Sequence, residues 1–325
     1  MKTLILFLFV LLFIPNCKTE RKYLNQGTIK IIFTFDNKSN KLDINKSMNC
    51  LSSRLEKYCG LKPSLLKVKG FFQFSVSGSI DSMTLKNLFL LKGTFGLWDT
   101  YDYTDIIQML DKANSLIGRL NLVKRFTDNN DSLYSFDQKR YPLYNKLVPL
   151  LKTNGTLREG PHAGLALMQD TALIDSVLKL PSIKNLFYKD LLFLWYAYPT
   201  VGYYLLIPLK TYSKIKAPID NGMINSVSIK KEADGKDLLY IKLKNGYFNR
   251  LDTLTMFSLR RYLVSTIDNH VFSIDKQMYV SENGEIFLHC IQGITQEQLK
   301  LLESILSFGE LQLIPKIRSI YVEKY

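Results

Sequence analysis

Thr28-Ile29-Lys30-Ile31-Ile32-Phe33-Thr34-Phe35 decides how the chain is read. Ile29, Ile31, Phe33 and Phe35 alternate with Thr, Lys and Ile, the period of two that a strand with one covered face requires. The polar run Asp36-Asn37-Lys38-Ser39-Asn40 turns the chain. Beyond it Met48, Leu51, Leu55 and Tyr58 recur at helical spacing, and Gly60 stands where a helix stops. Leu65 to Lys69 and Phe71 to Val76 read as two strands around Gly70. Ser79 or Asp81 caps a helix carrying Leu85, Leu88, Phe89 and Lys92, and Thr94 to Tyr101 is a further strand.

Strand, helix, two strands, helix, strand is the split β-α-β order of ferredoxin-like domains. The end of the chain repeats it. Val227 to Lys230 and Leu239 to Lys244 are strands around the Asp234-Gly235 turn, and Leu251, Leu254, Phe257 and Arg261 fall on one helical face. Leu263 to Ile267 turns through Asp268-Asn269 into Val271-Phe272, and Glu285 to Cys290 is another strand. Thr295 with Gln298 forms a capping box before Leu299, Leu302, Ile305 and Leu306, and Gly309 ends that helix. The middle differs, with helical patterns at Ile106 to Phe126 and Tyr141 to Lys152 and a short helix from Asp170 to Pro181. Apolar runs at Leu191 to Leu194 and Tyr203 to Leu209 read as buried strands. The expectation is an α+β fold: two ferredoxin-like α/β modules with mostly antiparallel sheets, separated by a mixed helical insertion. Its segments are 1–25 (signal peptide and lipid-anchor region), 26–103 (first module), 104–215 (insertion) and 216–325 (second module).

Composition agrees with a folded chain of this kind. The 325 residues are 46% hydrophobic and 22% charged, which excludes disorder, and 17 Gly with 10 Pro exclude collagen-like repeats. The net charge of +14 raises nucleic acid as a partner, but only ten of the 43 basic residues are Arg and the Lys are spread along the chain. The densest run, Lys62 to Lys69, interleaves Leu65, Leu66 and Val68 and reads as a solvated strand or loop edge. A clustered basic stripe is missing, so no nucleic-acid role is expected. General attraction to anionic lipid headgroups or acidic polypeptides fits as well, and the competing reading of the charge is solubility alone.

At the amino terminus Met1-Lys2-Thr3 precedes eleven unbroken apolar residues, Leu4 to Ile14. As a helix these span about 16 Å, half of a hydrocarbon core of roughly 30 Å, so they read as an export signal and not a membrane span. Ile14-Pro15-Asn16-Cys17 then resembles a lipobox, with Asn16 in place of the usual small residue, and Cys17 is the expected lipidation site. The competing reading is plain secretion with an incidental cysteine. Cys50 and Cys59 fall on one predicted helix, about 13 Å apart along its axis, too far for a mutual disulfide. A pair with Cys290 and buried free thiols both stay open.

Two segments resemble the first periplasmic domain of SecD, an accessory subunit of bacterial Sec-dependent export. Arg54, Tyr58-Cys59-Gly60-Leu61-Lys62-Pro63, Phe72 to Gly78 with Asp81, and Gly93-Thr94-Phe95-Gly96-Leu97-Trp98 are similar to its base. Leu263 to Ser273, and Ile294 to Gln298 followed by Gly309-Glu310-Leu311, are similar to its head. There are departures. Ser273-Ile274-Asp275 replaces a Ser-Ala-Pro element, Ser281-Glu282-Asn283-Gly284 carries one glycine instead of two, and the glycine-rich start is reduced to Gln26-Gly27. The resemblance implies a stand-alone external domain in the cell envelope, on the periplasmic side, without SecD's membrane helices and their proton pathway. Its implied partners are exported polypeptides or Sec translocon subunits, with the membrane reached through the lipid anchor. The alternative is an envelope lipoprotein using the same scaffold for an unrelated ligand or protein.

Catalytic chemistry is thin. His162, His270 and His289 are far apart in sequence, and adjacent strand positions would point His289 and Cys290 to opposite faces. Gly155 to Gly164 lacks the Gly-Lys-Ser/Thr ending of a phosphate loop, and no Gly-x-Ser-x-Gly occurs. No catalytic residue, metal ligand or cofactor is expected. Candidate polypeptide-binding residues are Trp195, Tyr196 and Tyr198 in the aromatic run Phe187 to Tyr204, together with Phe272, because large rings bury area at low entropic cost. The competing reading of these rings is core packing, and exposure separates the two.

Overall fold

The computed structural model describes residues 28–36, 39–68, 70–77, 80–120, 122, 126, 141–152, 155, 158–197, 202–212, 216–231, 235–277, 283–288 and 295–323. In chain order these form β1 (Thr28–Thr34), α1 (Lys41–Cys59), β2 (Ser64–Val68), β3 (Phe71–Ser77), α2 (Ser82–Leu90) and β4 (Phe95–Thr100). Next come α3 (Tyr103–Arg119), β5 (Gly164–Leu167), α4 (Thr171–Leu178), α5 (Pro181–Lys184), β6 (Leu191–Ala197), β7 (Tyr203–Lys210) and β8 (Ile219–Asp220). The last group is β9 (Ile224–Lys231), β10 (Asp237–Leu243), α6 (Phe248–Phe257), β11 (Tyr262–Ile267), β12 (His270–Lys276), β13 (Glu285–Leu288), α7 (Gln296–Ser307) and β14 (Lys316–Glu323). The fold is α+β, and its strands pair antiparallel in every register described.

The chain divides into two compact units, each discontinuous in sequence. The first holds residues 1–95, 220–247 and 283–325, the second 96–219 and 248–282. Both end segments, 26–103 and 216–325, are therefore shared between units.

In the first unit β1 carries the alternation read from sequence: Ile29, Ile31 and Phe33 are fully buried, and the residues between them are partly exposed. Its sheet runs β14-β1-β3-β2. A ferredoxin-like module places its own fourth strand beside β1. Here that position belongs to β14, with Ile31 opposite Ile320 on one side and Phe74 on the other. Phe33 packs on Phe74 (5.5 Å between rings) and Phe89 (5.2 Å), and burying one such ring stabilises by about 2–3 kcal/mol. Both helices start on side-chain caps: Asn40 accepts from the Leu42 N–H, and Asp81 from those of Met83 and Thr84. Gly60 ends α1 at φ 76°, the left-handed position glycine tolerates best. The capping box of Thr295 and Gln298 is present on α7. A second sheet, β13-β10-β9, completes this unit, with α7 packed against β9, α1 and α2.

Arg54, on α1, is fully buried and clamps helix ends together. Its guanidinium donates to the carbonyls of Leu88 (3.3 Å), Leu91 (2.7 Å) and Lys92 (2.8 Å) at the end of α2, and to Gly309 (2.7 Å) beyond α7. Carbonyls at helix ends carry partial negative charge and lack helical partners, so one planar cation serves several of them. Gly93 makes room for it. A β-carbon there would lie 2.5 Å from Arg54 Nη2, on a backbone with φ +81°.

The second unit is built on the sheet β12-β11-β4-β7-β5, with β6 also paired to β7 and β8 to β4. β7 is buried along both faces. Leu206 belongs to a core with Ile106, Leu110, Ala113 and Ile117 of α3 and with Ile174 and Val177 of α4. Its neighbours Leu205, Ile207 and Leu209 belong to a second core with Trp98, Val264 and Val271, as the period of two demands. The turn between β11 and β12 is as read: Asp268 (φ 51°) and Asn269 (φ 63°) take the two left-handed positions. The helix read over Tyr141 to Lys152 is only one 3-10 turn, Leu143–Asn145, because Asn114 on α3 holds the Leu143 N–H (2.8 Å) and the chain then bridges to Leu165.

Candidate functional site

The candidate residues named from sequence do not form one surface. Cys17 and Tyr198 lie outside the described residues, as do His289 and Cys290. Phe272 is fully buried in β12, so it corrects the expectation of a binding residue: a ring without exposed area has nothing to offer a polypeptide. Trp195 and Tyr196 are half-buried neighbours on β6 and point to opposite faces. Trp195 packs against the α3–α4 core and donates its indole N–H to Asp175 (3.0 Å); Tyr196 packs against the core around Trp98. Core packing explains both rings.

Asp175, the acceptor of the Trp195 indole, lines a cleft of about 650 Å³. Leu178, Phe187 and Phe193 supply apolar walls, and Lys179, Lys184 and Lys189 supply cationic ones. Phe187 and Phe193 meet edge to face at 5.3 Å. Tyr188 of the same lining stacks on Tyr101 (4.9 Å), whose hydroxyl donates to Asp190 (2.7 Å). Burial and that carboxylate hold the Tyr101 phenol protonated far above its usual range. Nearby, Asp99 is buried and accepts from Lys210 Nζ (2.9 Å), the Tyr212 hydroxyl (2.7 Å) and its neighbour's N–H (2.7 Å). This is a satisfied ion-pair network that braces β4 against β7.

The most exposed apolar feature of the first unit is β2. It is the edge of its sheet, paired with β3 alone among the described strands, and all five of its residues are exposed. Leu65, Leu66 and Val68 are 52, 55 and 45% exposed, and Leu61 and Phe71 continue the apolar surface on either side. Leu65 and Leu66 are adjacent and so face opposite sides of the sheet. Exposed apolar side chains thus stand on both faces of this strand, and among the described residues no strand pairs with its outer edge. Lys62 precedes it and Lys67 lies within it, 5.7 Å from the centre of the Phe72 ring. From sequence this run reads as a solvated strand or loop edge. The signal for more was Leu65-Leu66, two apolar residues in succession where a half-covered strand alternates.

Titratable chemistry is sparse. His162 is buried and stacks on Tyr103 (5.4 Å); burial first, then the Arg158 charge, lower its pKa to about 4. Burial alone lowers His270 to about 4. Cys50 and Cys59 are free, half-buried thiols on α1, both with pKa raised by burial. Among the described residues no three His, Cys, Asp or Glu side chains are grouped to hold a metal, and no helix is long and apolar enough to cross a membrane.

No family model and no curated protein matches the chain. Among solved structures, the chain is similar to one described as a membrane component SecDF that enhances protein export: TM-score 0.46 at 10% identity, covering 90% of this chain and 100% of that one. SecDF in a super-membrane-facing form gives 0.48 at 11% identity, covering 98% of this chain. A translocon-associated SecDF from Thermus thermophilus gives 0.33 at 10%, covering 99%. The chain spans 35% of the length of each of these last two. Likenesses this distant name no family.

Proposed function

We propose that this protein is a non-catalytic envelope factor that holds exported polypeptides in extended form, in the manner of a SecD external domain. The observation that carries the reading is β2: an edge strand whose outer row pairs with no described strand and whose apolar side chains are exposed on both faces. An extended chain added there gains main-chain hydrogen bonds without regard to sequence and apolar contact on either side. A partner that must accept many different polypeptides calls for that combination. The motifs at Arg54 to Asp81 and Leu263 to Ser273 support the same reading, as does the apolar run Leu4 to Ile14 with Cys17, which directs the protein out of the cytoplasm and to a lipid anchor. The Sec translocon is the partner that would deliver such chains.

The test is binding of a fluorescent, permanently unfolded polypeptide to the full chain. Leu66→Asp should weaken it about tenfold or more, because a charge on the strand opposes apolar contact while leaving the exposed site folded. Equal binding by the variant would remove β2 from the account.

The lysine-lined cleft at Asp175 favours a second reading, a scaffold that holds a small ligand. Trp195 emission, unchanged by polypeptide but shifted by a small amphiphile, would favour that reading over the first.

A further inference from the structure

Helix α6 ends against its own pattern. Leu251 and Leu254 face inward and are buried, and helical spacing places Phe257 with them. Phe257 is instead 66% exposed, and Met256 and Leu259 beside it are 55 and 42% exposed. The helix stops at Phe257, and the chain turns around the buried Ser258.

The turn is pinned. Ser258 N–H donates to Leu254 (3.0 Å), Arg261 N–H to Ser258 (2.8 Å), Arg260 N–H to Gln277 (2.7 Å) and Gln277 N–H to Arg261 (2.8 Å). Arg260 sits at φ 66°, the left-handed position that glycine usually takes after a helix. An arginine there accepts backbone strain, and it is exposed within four residues of the exposed Met256, Phe257 and Leu259. Arg261, at the end of the turn, and Lys276, the last residue of β12, add exposed cations. The carboxylates of the same region, Asp102, Asp252 and Asp275, are each half-buried. Asp102 lies within electrostatic reach of Arg261, and the exposed charges of this region are the cations Arg260, Arg261 and Lys276.

We propose that Met256, Phe257 and Leu259 form a wedge that enters the interface of an anionic bilayer, with Arg260 and Arg261 on lipid phosphates. Met256, Phe257 and Leu259 present exposed apolar area at a helix end. A bilayer closes around whatever is inserted, and basic residues beside the apolar ones are drawn to its negative surface. The net charge of +14 acts in the same direction at longer range. The inference stands apart from polypeptide binding at β2, which lies in the other unit.

Because Leu4 to Ile14 can itself bind lipid, the test must be local. An environment-sensitive fluorescent amino acid is placed at position 257 of the full chain and, separately, at the exposed Lys46. Vesicles of phosphatidylglycerol and phosphatidylcholine in equal parts are compared with phosphatidylcholine alone. On anionic vesicles the probe at 257 should shift to the blue and be quenched by shallow brominated lipids, while the probe at 46 stays aqueous. R260Q/R261Q should weaken that response about 30-fold, as expected for two surface charges. R260G should also weaken it while leaving the melting temperature unchanged or raised, which separates lipid contact from folding. An aqueous probe at 257 on anionic vesicles, or a response equal on neutral vesicles and in R260Q/R261Q, would overturn the proposal.

Discussion

Arg54 shows how much one side chain does for this fold and how little of that is visible in sequence. It stood out as one residue of a motif, but the carbonyls it serves lie 34 to 255 positions away. Local pattern carries no trace of such partners. Arg54→Met should lower stability by about 3–5 kcal/mol, since several buried carbonyls lose their donor at once. Arg54→Lys should recover only part of that loss, because a single ammonium lacks the planar fork; chemical denaturation measures both. His162 gives a prediction in pH. Its pKa falls from 6.5 to about 4 on folding, so its contribution is intact above pH 6.5 and is lost as pH drops toward 4, where the unfolded chain binds a proton the folded one refuses. A shift of this size corresponds to roughly 3 kcal/mol at full extent. His162→Phe should therefore flatten the difference between stability at pH 7 and at pH 4.5, measured by urea unfolding. An unchanged slope would mean that other groups set the acid sensitivity.

Among the elements, local signals were legible and long-range ones were not. Alternation in β1, the caps Asp81 and Thr295, and the Asp268-Asn269 turn each act within a few residues, and each appears where the sequence puts it. β14 carried no comparable signal. Its residues alternate weakly and stay largely exposed, and only pairing with β1 across nearly the whole chain makes them a strand. Thr94 to Tyr101, the strand that a ferredoxin-like order would set beside β1, instead pairs with β7 in the other unit. β2 is the solvated edge that its sequence indicates, but how far Leu65 and Leu66 are exposed depends on what fails to cover them, and a sequence shows only what is present.

For the molecule as a whole, the reading as successive modules met a chain that interleaves. Strands and helices from both ends complete the first unit, and the segment 248–282 returns to the second. A consequence is that residues 26–103 alone lack β14 beside β1 and α7 over α1 and α2. That fragment should remain largely unfolded in circular dichroism and exchange its amides without protection. Cooperative folding of the fragment would show that the first unit does not need the end of the chain. The central claim concerns what this assembled unit holds at its open edge, and in-cell crosslinking reaches it most directly. A photo-reactive residue at Leu66, compared with one at Lys46, should capture many different exported polypeptides at 66 and few at 46. Equal capture at the two positions, or none at 66, would contradict the account.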